Sequence, residues 1–356
     1  MRTIKIAGRK VGENQPCYVI AEAGANFRIS KDPDTNFRQA IDLIDLAARA
    51  GADAVKFQLY RAETLYVKKA GFADYLGSQT SIFDIIQEME LPGDWLPDLA
   101  EHCRKKKIVF LCTPFDEKAV DQLEAIEVPA YKIASYTISH IPLLKYIAAK
   151  NKPVILSTGA SDMADIEAAV KAVREAGNQD LILMQCTAKY PAPLESLHLK
   201  TIPALANAFG LPVGFSDHSR NPVIGPAGAV AMGACMVEKH FTTGNDLPGP
   251  DHAFAILPDE LDRMVRSIRM MEHALGDETK KVQDQELELY EFARRSIYAR
   301  IPIAAGEIIT DDHLIILRSG KQAKGLPPAL KETIIGKRAK KKIASQEPIS
   351  RYNVQM

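Results

Sequence analysis

Lysine is rarely found in the interior of an apolar run, yet this 356-residue chain places one in DAVKFQ (Lys56) and another in AYKIAS (Lys132). Histidine, with eight copies in all, ends two further runs of the same kind, GFSDH (His218) and ACMVEKH (His240). An ammonium group held among apolar neighbours is an anion site in waiting. The hydroxyls of Thr113, Ser135, Ser157 and Ser216, with the backbone N–H groups of the tripeptide ending at Gly159, would complete a pocket for a phosphate with a nearby carboxylate. Two neutral imidazoles at the ends of adjacent strands, with carboxylates close by, suit a borderline divalent metal: Mn²⁺, Fe²⁺, Co²⁺ or Zn²⁺. Because two imidazoles leave most of the shell to water and substrate, such a site is catalytic in kind. The plainer alternative is that each histidine only bonds its neighbouring acid, Asp217 or Glu238. His252, in GPDHAF, is expected in a loop near the substrate.

These residues need a scaffold that brings run ends together. Eight short apolar, β-branched runs alternate with segments of helical period: CYVIAEAG, DAVKFQ, KIVFLCTPF, AYKIAS, PVILSTG, LILMQCT, LPVGFSD and ACMVEKHF. Eight β-α repeats predict a closed (β/α)₈ TIM barrel within residues 1–276. An open doubly wound sheet would call for GxGxxG after the first run, and AEAGANFR does not supply it. In a barrel the C-terminal strand ends share one face. That face would gather Glu22, Asn26, Lys56, Gln58, Thr113, Asp116, Lys132, Ser135, Ser157, Thr158, Gly159, Gln185, Thr187, Lys189, Tyr190, Ser216, Asp217, His218, Glu238, Lys239 and His240. A long excursion from Leu59 to Glu90, containing YLGSQTSIFDIIQEM, is expected to border the same face. Residues 277–295 read as a helical linker, and 296–356 as a small, mostly β module with a modest core.

Lys and Arg number 45, as do Asp and Glu. That balance offers no global field for nucleic acid or an anionic membrane. The five cysteines form no CxxC pair and sit mainly in apolar runs, as thiols in a reducing compartment do. MRTIKIAGRKVGENQP lacks the apolar core of a signal peptide, and no run approaches a membrane span. The expectation is a soluble, cytoplasmic protein.

In order along the chain, AEAGAN, DAVKFQ, CTPFD, YKIAS, ILSTG, QCTAKYPAP, GFSDHS, VEKHFT, GPDHAF, RRSIYA and LRSG resemble the sialic acid (N-acetylneuraminate) synthase family. Those enzymes condense phosphoenolpyruvate with N-acetylmannosamine or related aldoses. The resemblance spans nearly the whole chain and implies a TIM barrel followed by an antifreeze-like (SAF) domain. It further implies a domain-swapped homodimer whose small domain caps the partner's active site. By this resemblance phosphoenolpyruvate meets Lys56, Thr113, Lys132, Ser135, Ser157, Gly159 and Ser216. A divalent metal, most often Mn²⁺, sits on His218 and His240, and the sugar meets Gln58, Tyr190, Asp251 and, from the partner, Arg318. Glu22 is the implied group for orienting water, which makes Glu22, Lys132, His218 and His240 the catalytic set.

Departures from the family pattern fall at Phe27 (a histidine in the family), Thr137 (a glutamate), Ala188 with Lys189 beside it, and Ser319 within LRSG. They bear on which nonulosonic acid is made. Two other functions compete: a pyruvate aldolase using Lys132 as a Schiff base, and a sugar-binding homologue that has lost turnover.

Overall fold

The structure, a computed structural model, describes residues 3–72 and 80–356. The chain packs as two units, Met1–Gly276 and Asp277–Met356. The first begins with a hairpin, β1 (Ile4–Ile6) and β2 (Arg9–Val11). Eight parallel strands follow: β3 (Tyr18–Gly24), β4 (Ala54–Leu59), β5 (Val109–Pro114), β6 (Tyr131–Ile133), β7 (Val154–Ser157), β8 (Leu181–Cys186), β9 (Val213–Asp217) and β10 (Met236–His240). They hydrogen-bond in the order β5-β4-β3-β10-β9-β8-β7-β6, and β5 packs beside β6, giving a nearly closed TIM barrel.

Alternation along each strand explains the architecture. Val19, Ala21, Val55, Phe57, Phe110, Leu156, Leu183, Phe215 and Val237 point outward into the core shared with the surrounding helices. Tyr18, Ile20, Ala54, Leu111, Ala130, Ile155, Ile182, Met184 and Met236 point inward and fill the barrel floor. One step further along each strand, the next inward residue is Glu22, Lys56, Thr113, Lys132, Ser157, Cys186, Ser216 or Glu238. Each of the eight strands thus adds one polar or polarisable side chain to a single layer, because inward positions recur every second residue.

The hairpin was not foreseen from the sequence. IKI and RKV alternate around Ala7-Gly8, both at positive φ, and Ile4, Ile6 and Val11 plug the barrel floor. Arg9 bonds Asp53 and stacks over Tyr18 at 5.4 Å. The excursion after β4 contains helices Ala62–Leu65 and Ile82–Glu88; its residues 73–79 lie outside the described residues. Of the linker, only Leu287–Ala293 is α-helical, after a 3₁₀ turn at Asp284–Glu286. Residues 277–283, expected to be helical, have no apolar face to bury and are not.

The second unit pairs β11 (Arg295–Ala299) with β12 (Leu314–Arg318) and adds short bridges, around a core of Ile297, Ile303, Ile309, Leu314, Ile343, Ile349 and Val354. No helix among the described residues is long and apolar enough to cross a membrane.

Because Ile6 is fully buried in the barrel floor, Ile6→Ala should destabilise the first unit by about 2–4 kcal/mol. Urea unfolding followed by circular dichroism measures this. A loss below about 0.5 kcal/mol, the size of a surface change, would mean the hairpin does not plug the floor.

Candidate active site

The inward layer forms a buried ionic cluster. Lys56 Nζ lies 2.5 Å from Glu22 Oε2 and 3.9 Å from Glu238 Oε1, and donates to Thr113 Oγ1 at 3.1 Å. Lys132 Nζ lies 3.5 Å from Glu238 Oε1 and donates to Ser157 Oγ at 2.6 Å. Ser216 Oγ donates to Glu238 Oε1 at 3.3 Å, and Gln58 Nε2 donates to Glu22 Oε1 at 2.7 Å. Two ammonium groups thus face two carboxylates with almost no solvent. Burial pulls Lys56 down, but Glu22 and Glu238 outweigh it and hold the lysine above its ordinary value. Burial draws Lys132 down, and Glu238 offsets only part of that. Glu22 is raised by burial. Glu238 would be raised by burial too, but Lys132 and Lys56 hold it below the usual carboxylate range.

Above this layer sit the groups on the strand-end turns. Ser135 Oγ accepts from the Gly159 N–H at 3.0 Å. A Cβ at Gly159 would come within 2.8 Å of Ser135 Oγ and 3.0 Å of Cys186 Sγ, so the backbone must be bare there. Gly24, at φ +49°, is bare for a similar reason: a Cβ would meet Asp251 Oδ2 at 2.9 Å, Glu22 Oε1 at 3.3 Å and Gln58 Nε2 at 3.5 Å. Asp251, Glu22 and Gln58 therefore border one small space.

His218 and His240 end β9 and β10 with ring centroids 5.6 Å apart. His218 Nδ1 lies 2.8 Å from the Thr187 carbonyl oxygen, so Nδ1 carries the proton and Nε2 the free lone pair. His240 is kept neutral by burial and by the nearby His218, and its Nδ1 has no hydrogen-bond partner among the described residues. Burial draws His218 down, but Cys186, the Thr187 carbonyl and Glu238 outweigh it and hold the imidazole above its ordinary value. A divalent ion would have to displace a proton there before taking its lone pair alongside that of His240. Among the described residues no group of three His, Cys, Asp or Glu is arranged to hold a metal, so the protein's share would be these two nitrogens. Tyr190 packs tilted against His218 with ring centroids 4.2 Å apart, and Phe254 contacts both His240 and Tyr190 at 5.1 and 5.2 Å. Asp251 Oδ2 lies 3.8 Å from His240 Nδ1, and burial pushes its carboxyl up to about 6.

Several residues expected on this face point elsewhere. Asp217, on the outward register of β9, pairs with the buried Lys239 at 2.6 Å and is no partner for a histidine. Asp116 caps the helix Glu117–Ala125 and binds Arg61 and Thr64. The side chains of Gln185, Thr187, Thr158 and Asn26 bond backbone carbonyls, and Lys189 is exposed. His252, expected near the substrate, is fully buried and ties its own loop through Thr242 at 2.6 Å. Phe27 is also buried, edge-on to Trp95 at 5.9 Å, so this departure is absorbed by packing. Cys186, grouped with the inert apolar thiols in the sequence, instead stands in the inward layer, its Sγ 3.8 Å from His218 Nδ1. Glu238, gathered with the other strand-end residues, was given no catalytic or binding role, and Phe254 was not singled out at all. Strand alternation from His240 marks Glu238 as inward-facing, whereas nothing in GPDHAF signals where Phe254 packs. Arg318 is exposed at the end of β12, in register with Arg295.

The NeuB family profile matches residues 43–280, and the SAF domain profile matches 294–352. This chain is a member of the NeuB family. It is 42% identical over 349 residues to the spore coat polysaccharide biosynthesis protein SpsE of Bacillus subtilis, covering 94% of this chain and 92% of that one. It is 37% identical over 343 residues to the N,N'-diacetyllegionaminic acid synthase of Legionella pneumophila, covering 94% of each. The crystal structure of an N-acetylneuraminic acid synthetase from Leptospira borgpetersenii superposes with a TM-score of 0.73 at 32% identity, covering 82% of this chain and 95% of that one. As a NeuB enzyme the chain is a phosphoenolpyruvate-dependent, C–C bond-forming synthase with a TIM barrel and an antifreeze-like domain, and membership carries a metal-dependent condensation.

Asp251 is partly buried and its carboxyl is raised to about 6, so it takes up its proton more readily in the folded state and its charge costs stability as pH climbs through about 6. Asp251→Asn should therefore raise the Tm at pH 7.5 and leave it unchanged at pH 4. A Tm gain of equal size at both pH values would mean that the Asp251 charge is not the cause.

Proposed function

We propose that the chain joins phosphoenolpyruvate to the aldehyde of an open-chain, di-N-acylated aldose, giving a nonulosonic acid and inorganic phosphate. The observation that carries this reading is the buried pair Lys56 and Lys132 at the same barrel mouth as two imidazoles whose rings lie 5.6 Å apart. Nothing about a neutral sugar alone calls for two buried ammonium groups; a trianionic substrate does. The di-N-acyl assignment follows the relatives at 37% and 38% identity that are named as N,N'-diacetyllegionaminic acid synthases, and the apolar wall of Tyr190 and Phe254 suits an acyl methyl group.

In this scheme Lys56 and Lys132 bind the phosphate and carboxylate, assisted by Thr113, Ser135, Ser157, Ser216 and the Gly159 N–H. Gln58, Tyr190 and Asp251 orient the sugar. A divalent metal on His218 and His240, for which we propose Mn²⁺, supplies Lewis-acid polarisation of the aldehyde when bound. The C2=C3 π pair of phosphoenolpyruvate forms the new bond from C3 to the aldehyde carbon, and the aldehyde π pair moves to its oxygen. That oxygen becomes a hydroxyl by taking one of the two protons of the incoming water; the other leaves with phosphate. A water oxygen adds at C2 and the C2–O bond to phosphate breaks, so one water enters and one phosphate leaves with no net redox change. Of the two carboxylates, Glu22 has Oε1 engaged by Gln58 and Oε2 by the Lys56 ammonium, whereas Glu238 is engaged through Oε1 and its Oε2 has no hydrogen-bond or ion-pair partner among the described residues. We therefore assign Glu238 to receive the second proton of the incoming water, and Glu22 to keep Lys56 charged and Gln58 aimed. Lys132, within 3.5 Å of Glu238, is placed to return that proton to the departing phosphate.

We further propose that the enzyme works in the cytoplasm as a domain-swapped homodimer, with Arg318 reaching the partner's sugar pocket. The exposed Leu287, Leu289 and Phe292 of the linker helix support an assembled state. Mixing inactive Arg318→Ala and His218→Ala chains should restore part of the activity. Heterodimers that form yet stay dead would leave Arg318 serving its own subunit.

The reaction is tested by following phosphate release from phosphoenolpyruvate over a panel of N-acyl aldoses. Release should need both a sugar and a metal, vanish on exhaustive chelation and return with Mn²⁺. His240→Ala should lower kcat at least about a hundredfold. Full turnover in metal-free buffer would overturn the reading.

A further inference from the structure

The zero net charge of the chain is a cancellation. Residues 294–356 carry 13 Lys and Arg against five Asp and Glu, and residues 1–293 carry 32 against 40. Within the basic module the charge peaks at residues 337–342, KRAKKK. Ala339 and Ile343 are buried in the module's core and pin this corner, while all five basic residues between Lys337 and Lys342 stay exposed. Among the described residues, Lys337, Arg338, Lys340 and Lys342 have no carboxylate partner, and Lys341 reaches Glu347 only at 3.8 Å. Arg338 and Lys340 each spend one donor on a carbonyl oxygen, of Gly306 and Arg351, which fixes where their charge sits.

Apolar groups flank the same corner. Ile308, 47% exposed, bridges across to Arg338. Tyr352, 89% exposed, is held beside Lys340 by the bonds from Lys340 to Arg351 and Asn353. Basic side chains with an interfacial tyrosine and an isoleucine are what an anionic lipid surface recruits: ammonium groups meet the head groups, while apolar groups and lysine stems enter the interface. Single-stranded nucleic acid would call for a row of aromatics to stack its bases, and this corner has one. We propose that residues 337–342, with Tyr352 and Ile308, form a docking site for an anionic bilayer, so that the enzyme works at a membrane surface without spanning it. This is independent of the condensation assigned to the barrel.

Co-sedimentation of the full-length enzyme with phosphatidylcholine vesicles, with and without about 30% phosphatidylglycerol, tests it. Binding should need the anionic lipid, weaken with added NaCl, and fall roughly fivefold for each charge removed. The triple variant Lys337→Gln, Lys341→Gln, Lys342→Gln should thus lose about a hundredfold in vesicle affinity while keeping its Tm and phosphate release. Should the triple variant fold poorly, Tyr352→Ser removes a side chain free in solvent and should still weaken binding several-fold. Undiminished binding by the variants, or equal binding to neutral vesicles, would overturn the proposal. So would tighter binding of a homopolymeric RNA that displaces the vesicles, or a change in oligomeric mass as the sole effect of the substitutions.

Discussion

Two lysines and two glutamates share the inside of the barrel mouth, and the rest of the molecule is arranged to make that tolerable. Isolated charges there would cost several kcal/mol each in lost hydration. Lys56 with Glu22 and Glu238, and Lys132 with Glu238 and Ser157, offset that cost pairwise. The cluster comes ready for exchange: an incoming trianion can pair with lysines that are already buried and charged, without the protein first having to bury a charge. Preorganisation of this kind is what electrostatic catalysis requires.

The barrel provides the means. Only a closed ring of parallel strands can aim one side chain from each of eight strands into a single layer, and the apolar floor below keeps that layer from flooding. The hairpin at Ile4–Val11 seals the floor, so residues farthest from the chemistry help to keep it dry. Outward positions at the same level do different work: Asp217 and Lys239 neutralise each other behind the sheet, so neither acts on the two histidines.

Much of this was legible in the sequence because period two is hard to disguise. The strand-end lysines and histidines stood out against apolar runs, and the eight runs implied the ring. What escaped had physical reasons. Facing decides whether Asp217 or Glu238 belongs to the site, and a strand-end list that ignores alternation mixes both faces. Cys186 looked like ordinary filler because its neighbours in the chain are apolar, although its register is inward. The hairpin is two three-residue strands, too short for a periodic signal. The linker's charge suggested a helix, but without an apolar face residues 277–283 do not form one. Phe27 was suspected of altering specificity and proved to be a packing partner of Trp95.

The measurement that bears most directly on the ionic cluster is steady-state kinetics of Lys56→Ala and Lys132→Ala, with phosphoenolpyruvate and sugar varied in turn and borohydride trapping alongside. Loss of a charge-assisted contact worth about 1.5–3 kcal/mol predicts a rise of roughly 10- to 150-fold in KM for phosphoenolpyruvate, a much smaller change for the sugar, and no trapped adduct in any form of the enzyme. An unchanged KM for phosphoenolpyruvate in both variants, with a borohydride-trapped adduct that disappears in Lys132→Ala, would contradict the anion site and make Lys132 a Schiff-base lysine.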